Sequence, residues 1–165
     1  MAALLSLSAW LAGPLAVPAA DYLATVGRFG DWTVTCVKGS AAGASSCAME
    51  APPRDLGNPA ALLEIRVGTD GAPEISVDRF GNVAPDAPVY LRIDAGRPFR
   101  AEANAAGDVL WQGADADAVI AALSAGDILV IRAFTGDANR PTDAEIALVG
   151  FREAYRLFRD GGTAP

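Results

Sequence analysis

The chain has 165 residues, one domain's worth and enough to bury a real core. Acidic residues outnumber basic ones, 20 against 13, and the net charge of −7 argues against a nucleic-acid partner, which would need a basic face. Histidine is absent, which excludes Ser-His-Asp and Cys-His nucleophilic sites and removes the commonest metal ligand. Two cysteines alone cannot build a structural zinc site, so no cofactor or metal is expected. Carboxylate-only chemistry and carboxylate calcium sites survive these exclusions.

Residues 2–17 form an apolar run of small residues without a charged side chain, ending in Val17-Pro18-Ala19. Small residues at Val17 and Ala19 suit signal-peptidase cleavage after Ala19, and Pro14 and Pro18 break a helix before the cut. The run is short for a spanning helix, which needs about 20 apolar residues. No Lys or Arg precedes it, so either translation starts further upstream or the Met1 amino group supplies the positive charge. A buried N-terminal helix or a retained membrane anchor is the competing explanation. Residues 1–19 are therefore expected to be a signal peptide, and the mature chain to be exported without a transmembrane span.

Residues 20–28 follow as a short leader. Over 31–37, Trp32, Val34 and Cys36 alternate with Thr33 and Thr35, the pattern of a half-buried strand. Residues 38–46 are rich in Gly, Ala and Ser and form a loop; residues 47–51 resume as a strand ended by Pro52 and Pro53. Cys36 and Cys47 thus sit on two arms of a predicted hairpin. In an exported chain the default is a disulfide, and spacing far from C-x-x-C favours a structural bridge over a redox-active pair or two buried thiols.

Further strands are expected at 62–67, 74–80, 89–94, 99–103 and 109–112, separated by turns carrying Asp70-Gly71 and Gly96-Arg97-Pro98. Residues 115–123 place Val119, Ile120 and Leu123 at helical spacing, with Asp115 and Asp117 near the start and Gly126 after the end. The β-branched run 128–134 predicts a central, buried strand, and 145–149 the last strand. In 151–159, Phe151, Ala154, Tyr155 and Phe158 face one way and Arg152, Arg156 and Arg159 the other, an amphipathic C-terminal helix. Residues 161–165 are a tail. Many short strands with two helices predict a mainly β, single-domain antiparallel sandwich or partly closed barrel spanning 29–160.

Four stretches together resemble the invasion-associated locus B proteins of Gram-negative bacteria. They are Phe29-Gly30-Asp31-Trp32-Thr33-Val34-Thr35-Cys36, Ser46-Cys47-Ala48-Met49, Pro88-Val89-Tyr90-Leu91-Arg92-Ile93-Asp94, and Ile146-Ala147-Leu148-Val149-Gly150-Phe151-Arg152-Glu153-Ala154. Many members of that family carry a further cysteine pair in the middle of the chain, and 99–113 here has none. The resemblance implies an exported, β-rich protein, periplasmic or secreted, associated in some members with host-cell invasion. It brings no catalytic residues with it.

Asp115-Ala116-Asp117 lacks the glycine and distal Glu of a calcium loop and suits the start of a helix instead. Asp70-Gly71 and Gly136-Asp137 are turn chemistry. Tyr90, Phe99 and Trp111 lie in the middle strands, where they either line a ligand-binding face or, as strand aromatics usually do, pack in the core. The expected function is non-enzymatic binding of a protein partner in the cell envelope or at a host surface. The alternatives are a glycan- or small-molecule-binding sandwich and a carboxylate-dependent hydrolase; the last needs two acidic side chains facing one another in a cleft.

Overall fold

The computed structural model describes residues 22–38, 45–52, 61–79, 84, 86–104, 108–136 and 140–162. The expected signal peptide, 1–19, lies outside the described residues. In chain order the strands are β1 (Tyr22–Phe29), β2 (Trp32–Lys38), β3 (Ser45–Ala51), β4 (Ala61–Val67), β5 (Pro73–Arg79), β6 (Val89–Ile93), β7 (Phe99–Ala101) and β8 (Val109–Trp111). They are followed by helix α1 (Gly113–Ala125), strands β9 (Ile128–Phe134) and β10 (Pro141–Ala147), and helix α2 (Phe151–Arg159).

Strands β1-β2-β3-β4-β5-β8 form a six-stranded sheet and β10-β9-β6-β7 a four-stranded one, with every pairing antiparallel. The architecture is two sheets and two helices, and it is not a closed barrel. Alternation decides which side chains face inward. Trp32, Val34 and Cys36 of β2, Leu63 and Ile65 of β4, and Val89, Leu91 and Ile93 of β6 are all buried in one core. Burying each such aliphatic side chain contributes about 1.5–3 kcal/mol. Helix α1 adds Ala116, Val119, Ile120 and Leu123 to that core, packing on β5 and β8. Helix α2 adds Phe151, Ala154, Leu157 and Phe158 over β1, β2 and β3, with Tyr155 only half-buried.

Two elements depart most from the sequence expectation. Most of the leader is strand: β1 begins at Tyr22 and pairs with β2 along its length. A register shift between Thr25 and Gly27 breaks the two-residue period there, which hides the strand from a pattern search. The last strand ends at Ala147 rather than residue 149 and begins earlier, at Pro141. Proline is tolerated as the first residue of an edge strand, where no ladder hydrogen bond is lost. Elsewhere, β9 lies between β10 and β6, as an internal strand should.

The stretches that carry the family resemblance meet in space and hold the elements together. The Gly30–Asp31 turn joins β1 to β2 and lies against the turn that joins β10 to α2. A Cβ at Gly30 would sit 2.5 Å from the Val149 carbonyl oxygen, and one at Gly150 would overlap the Phe29 carbonyl. Gly150 also has φ 87°, a left-handed conformation that disfavours other residues. Beneath these turns the Trp32 indole N–H donates to the Ala147 carbonyl at 2.9 Å, and its ring meets Phe151 edge-on at 4.9 Å. The Ile93-Asp94 pair ends β6 in a second clamp. The Asp94 carboxylate accepts from the Asp127 and Ile128 backbone N–H groups, at 3.1 and 2.9 Å, fixing the start of β9. Cys36 and Cys47 stand directly opposite on β2 and β3 and are bridged. Each of the four stretches thus contributes to holding the fold together.

A candidate binding groove on the second sheet

On β6, the inward course of Val89, Leu91 and Ile93 turns Tyr90 and Arg92 outward. On β9, Leu129, Ile131 and Ala133 point in, and Val130, Arg132 and Phe134 point out. The antiparallel register sets Tyr90 opposite Arg132 and Arg92 opposite Val130, so the outward set is one patch. With Pro98 from the β6–β7 turn, these five side chains line an open groove of about 310 Å³.

Its floor is apolar, for Val130 is only 9% exposed. Tyr90 and Phe134 meet edge to face across it, their ring centres 6.3 Å apart and their planes at 72°. Arg132 grips Asp143 on β10 through a two-pronged pair, Nε and Nη2 each donating to a carboxylate oxygen at 2.7 Å. Those bonds hold the Asp143 carboxyl below the ordinary aspartate range; partial burial opposes them, and the charges of Arg132 and Arg92 add to them. Arg100, the Tyr90 partner on β7, pairs with Glu102 at 2.5 Å. Arg92 makes no carboxylate pair among the described residues, and its Nη1 donates to the Asp94 carbonyl oxygen at 2.9 Å.

The Asp143 shift has a definite sign in stability. A lowered folded pKa adds stability that is complete above the ordinary aspartate range and is lost as pH falls through the folded value. The wild-type chain should therefore melt slightly above Asp143→Asn at neutral pH, and the two should converge in strong acid. Thermal melts of both chains across that range check this; a constant gap at every pH contradicts it.

The three aromatic residues singled out from sequence do not converge. Tyr90 lines the groove. Phe99 pairs with Leu91, so it lies toward the other side of the same sheet. It is half-buried against the core in a separate cleft between the β6–β7 turn and the end of α1. Trp111 belongs to the six-stranded sheet, opposite Ile75, and at 3% exposure it is a core residue. Sequence reading missed Arg92, Val130, Arg132 and Phe134. The alternation in β6 was a usable signal for Arg92. The apolar run of β9 concealed the others, because it reads as buried on both faces.

On the outer face of the six-stranded sheet two carboxylates, Glu64 and Glu74, are engaged in a cross-strand ladder. Glu74 accepts from Arg66 at 2.7 Å and from Gln112, and Glu64 accepts from Ser76 at 3.4 Å. Arg66 is held above its ordinary pKa by its hydrogen bond to Glu74 first. Among the described residues no group of three or more Cys, Asp or Glu side chains gathers as a metal site would.

No protein-family model and no curated protein matches the chain. Among solved structures, the crystal structure of invasion associated protein B from Bartonella henselae matches it with a TM-score of 0.61. The match covers 81% of this chain and 95% of that one, at 18% identity. The chain has a fold like that of invasion associated protein B. At that identity the likeness concerns the fold alone. It agrees with the resemblance read from the four sequence stretches, whose residues are the ones that interlock the turns, clamp β9 and bridge β2 to β3.

Proposed function

We propose that this chain is an exported, non-enzymatic protein, periplasmic or secreted, that acts by binding a protein partner in the bacterial envelope or at a host surface. The observation that carries the binding reading is the groove on the second sheet. It presents two aromatic rings and an arginine that has no carboxylate partner among the described residues, an arrangement suited to holding a ligand. Export is supported by the cystine, which persists in oxidising compartments, and by the apolar leader sequence with its small-residue exit. No helix among the described residues is long and apolar enough to cross a membrane. The envelope and host-surface settings come with the resemblance of the four sequence stretches to the invasion-associated locus B proteins.

A second reading, a glycan- or small-molecule-binding sandwich, has Tyr90 in its favour, since that ring lines an open groove. In-cell crosslinking of the tagged chain in its native bacterium, with mass spectrometry of each envelope fraction, separates the two. A reproducible protein partner supports the first reading and identifies the compartment. Capture of abundant neighbours alone overturns it in favour of the second.

A further inference from the structure

The groove differs from an ordinary polar sheet face in how its two guanidinium groups, Arg92 and Arg132, and that of nearby Arg100 on β7 are used. Arg132 is bonded to Asp143 through two N–H groups and Arg100 is paired with Glu102, yet Arg92 spends one N–H on a backbone carbonyl and has no carboxylate bonded to it among the described residues. That single bond orients the guanidinium, whose charge is felt by Asp143 but which no carboxylate caps directly among the described residues. Directly across the β6–β9 pairing stands Val130, and such cross-strand neighbours have Cβ atoms about 4.5–5.5 Å apart. An anion site and an apolar floor therefore lie within one residue's reach of each other.

We propose that the groove binds the free C-terminal carboxylate of a peptide chain whose last residue is apolar, with Arg92 taking the carboxylate and Val130, Tyr90 and Phe134 the side chain. The inference rests on the reading of this chain as a binding protein and names the chemistry of its partner. Three features select that occupant. Asp143 and Glu145 flank the groove on β10, opposite Arg132 and Val130, so a singly charged anion is repelled less than a doubly charged one, which favours a carboxylate. A phosphate dianion would meet both of them, whereas a planar monoanion matches the guanidinium fork. The carboxylate comes from a chain end, because only there do a carboxylate and an apolar side chain leave the same Cα. An internal Asp or Glu carries its carboxylate on the side chain itself. The chain end belongs to a peptide, because a free amino acid carries its ammonium on the same Cα as the carboxylate and would set it beside the Arg92 guanidinium, whereas a peptide has a neutral amide there. The groove of about 310 Å³ is open to solvent, so it accepts one residue and lets the preceding chain leave.

The test is an NMR titration of the isotope-labelled full chain with acetyl-Ala-Ala-Phe as the free acid, its C-terminal amide, and free phenylalanine. The acid should shift the signals of β6 and β9 and bind about tenfold or more tightly than the amide, the worth of one charge-assisted hydrogen-bond pair. Arg92→Gln should bring the acid down to the level of the amide, and Tyr90→Ala should weaken acid and amide alike. Equal binding of acid and amide, no response to either, or an Arg92→Gln chain that still prefers the acid would overturn the proposal. So would free phenylalanine binding as well as the capped peptide. Crosslinking of the Arg92→Gln chain in cells separates this idea from the broader one. A protein partner still captured there leaves the binding reading standing and removes the groove as its site.

Discussion

Replacing Trp32 with Ala should destabilise the chain by about 3–5 kcal/mol, a large share of the roughly 5–15 kcal/mol that holds a typical domain together. Trp32 is fully buried, and its ring is the edge partner of Phe151. Removing it leaves a cavity where β2, α2 and the end of β10 meet, and rigid turns on either side limit collapse into the gap. Trp32→Phe isolates the polar contribution. The smaller ring keeps an aromatic face for Phe151 but leaves the Ala147 carbonyl without its donor, a loss of about 1–3 kcal/mol from the unpaired group. Urea unfolding of both variants measures the two losses, and a Trp32→Phe chain as stable as the wild type would refute the role given to the indole N–H. Gly150→Ala attacks the same interlock through the backbone and should also destabilise, because the new methyl would overlap the Phe29 carbonyl.

The interlock explains why the fold was legible in sequence while the groove was not. Trp32, Val34 and Cys36 announce their strand by strict alternation, and the matching face of α2 follows the helical period. Those patterns exist because one side of each element must be buried, so the core writes itself into the sequence. The first strand escaped because its register shift breaks the period. The groove escaped for a different reason. Its residues come from two strands that are adjacent only through the β6–β9 pairing, and chain order gives no sign that Arg92 will stand opposite Val130. Nor does composition distinguish an arginine already committed to Asp143 from one left open. Tyr90, Phe99 and Trp111 looked equivalent as strand aromatics; only sheet order and register send them to three different places.

Removing the cystine by the double substitution Cys36→Ala with Cys47→Ala should cost about 3 kcal/mol, because the reduced unfolded chain regains the freedom of the loop between them. The native hairpin itself does not need the bridge for its register, since β2 and β3 pair along their length from Thr33 with Glu50 to Lys38 with Ser45. The expected result is thus a chain that reaches the same fold and unfolds at lower denaturant. The bridge is also covered. Cys36 and Cys47 are 1% and 3% exposed, and a Cβ at Gly162 would stand 2.5 Å from the Cys36 sulfur and 3.5 Å from that of Cys47. The turn after α2 therefore seals the cystine, and a reductant must wait for that turn to open. Gly162→Ala should displace it and speed reduction of the folded chain by dithiothreitol about tenfold, if the added methyl makes local opening easier by about 1.4 kcal/mol. Equal reduction rates for the two chains would mean that global unfolding exposes the bridge. In that case the double substitution remains the measure of what the cystine contributes, and the seal over it contributes nothing.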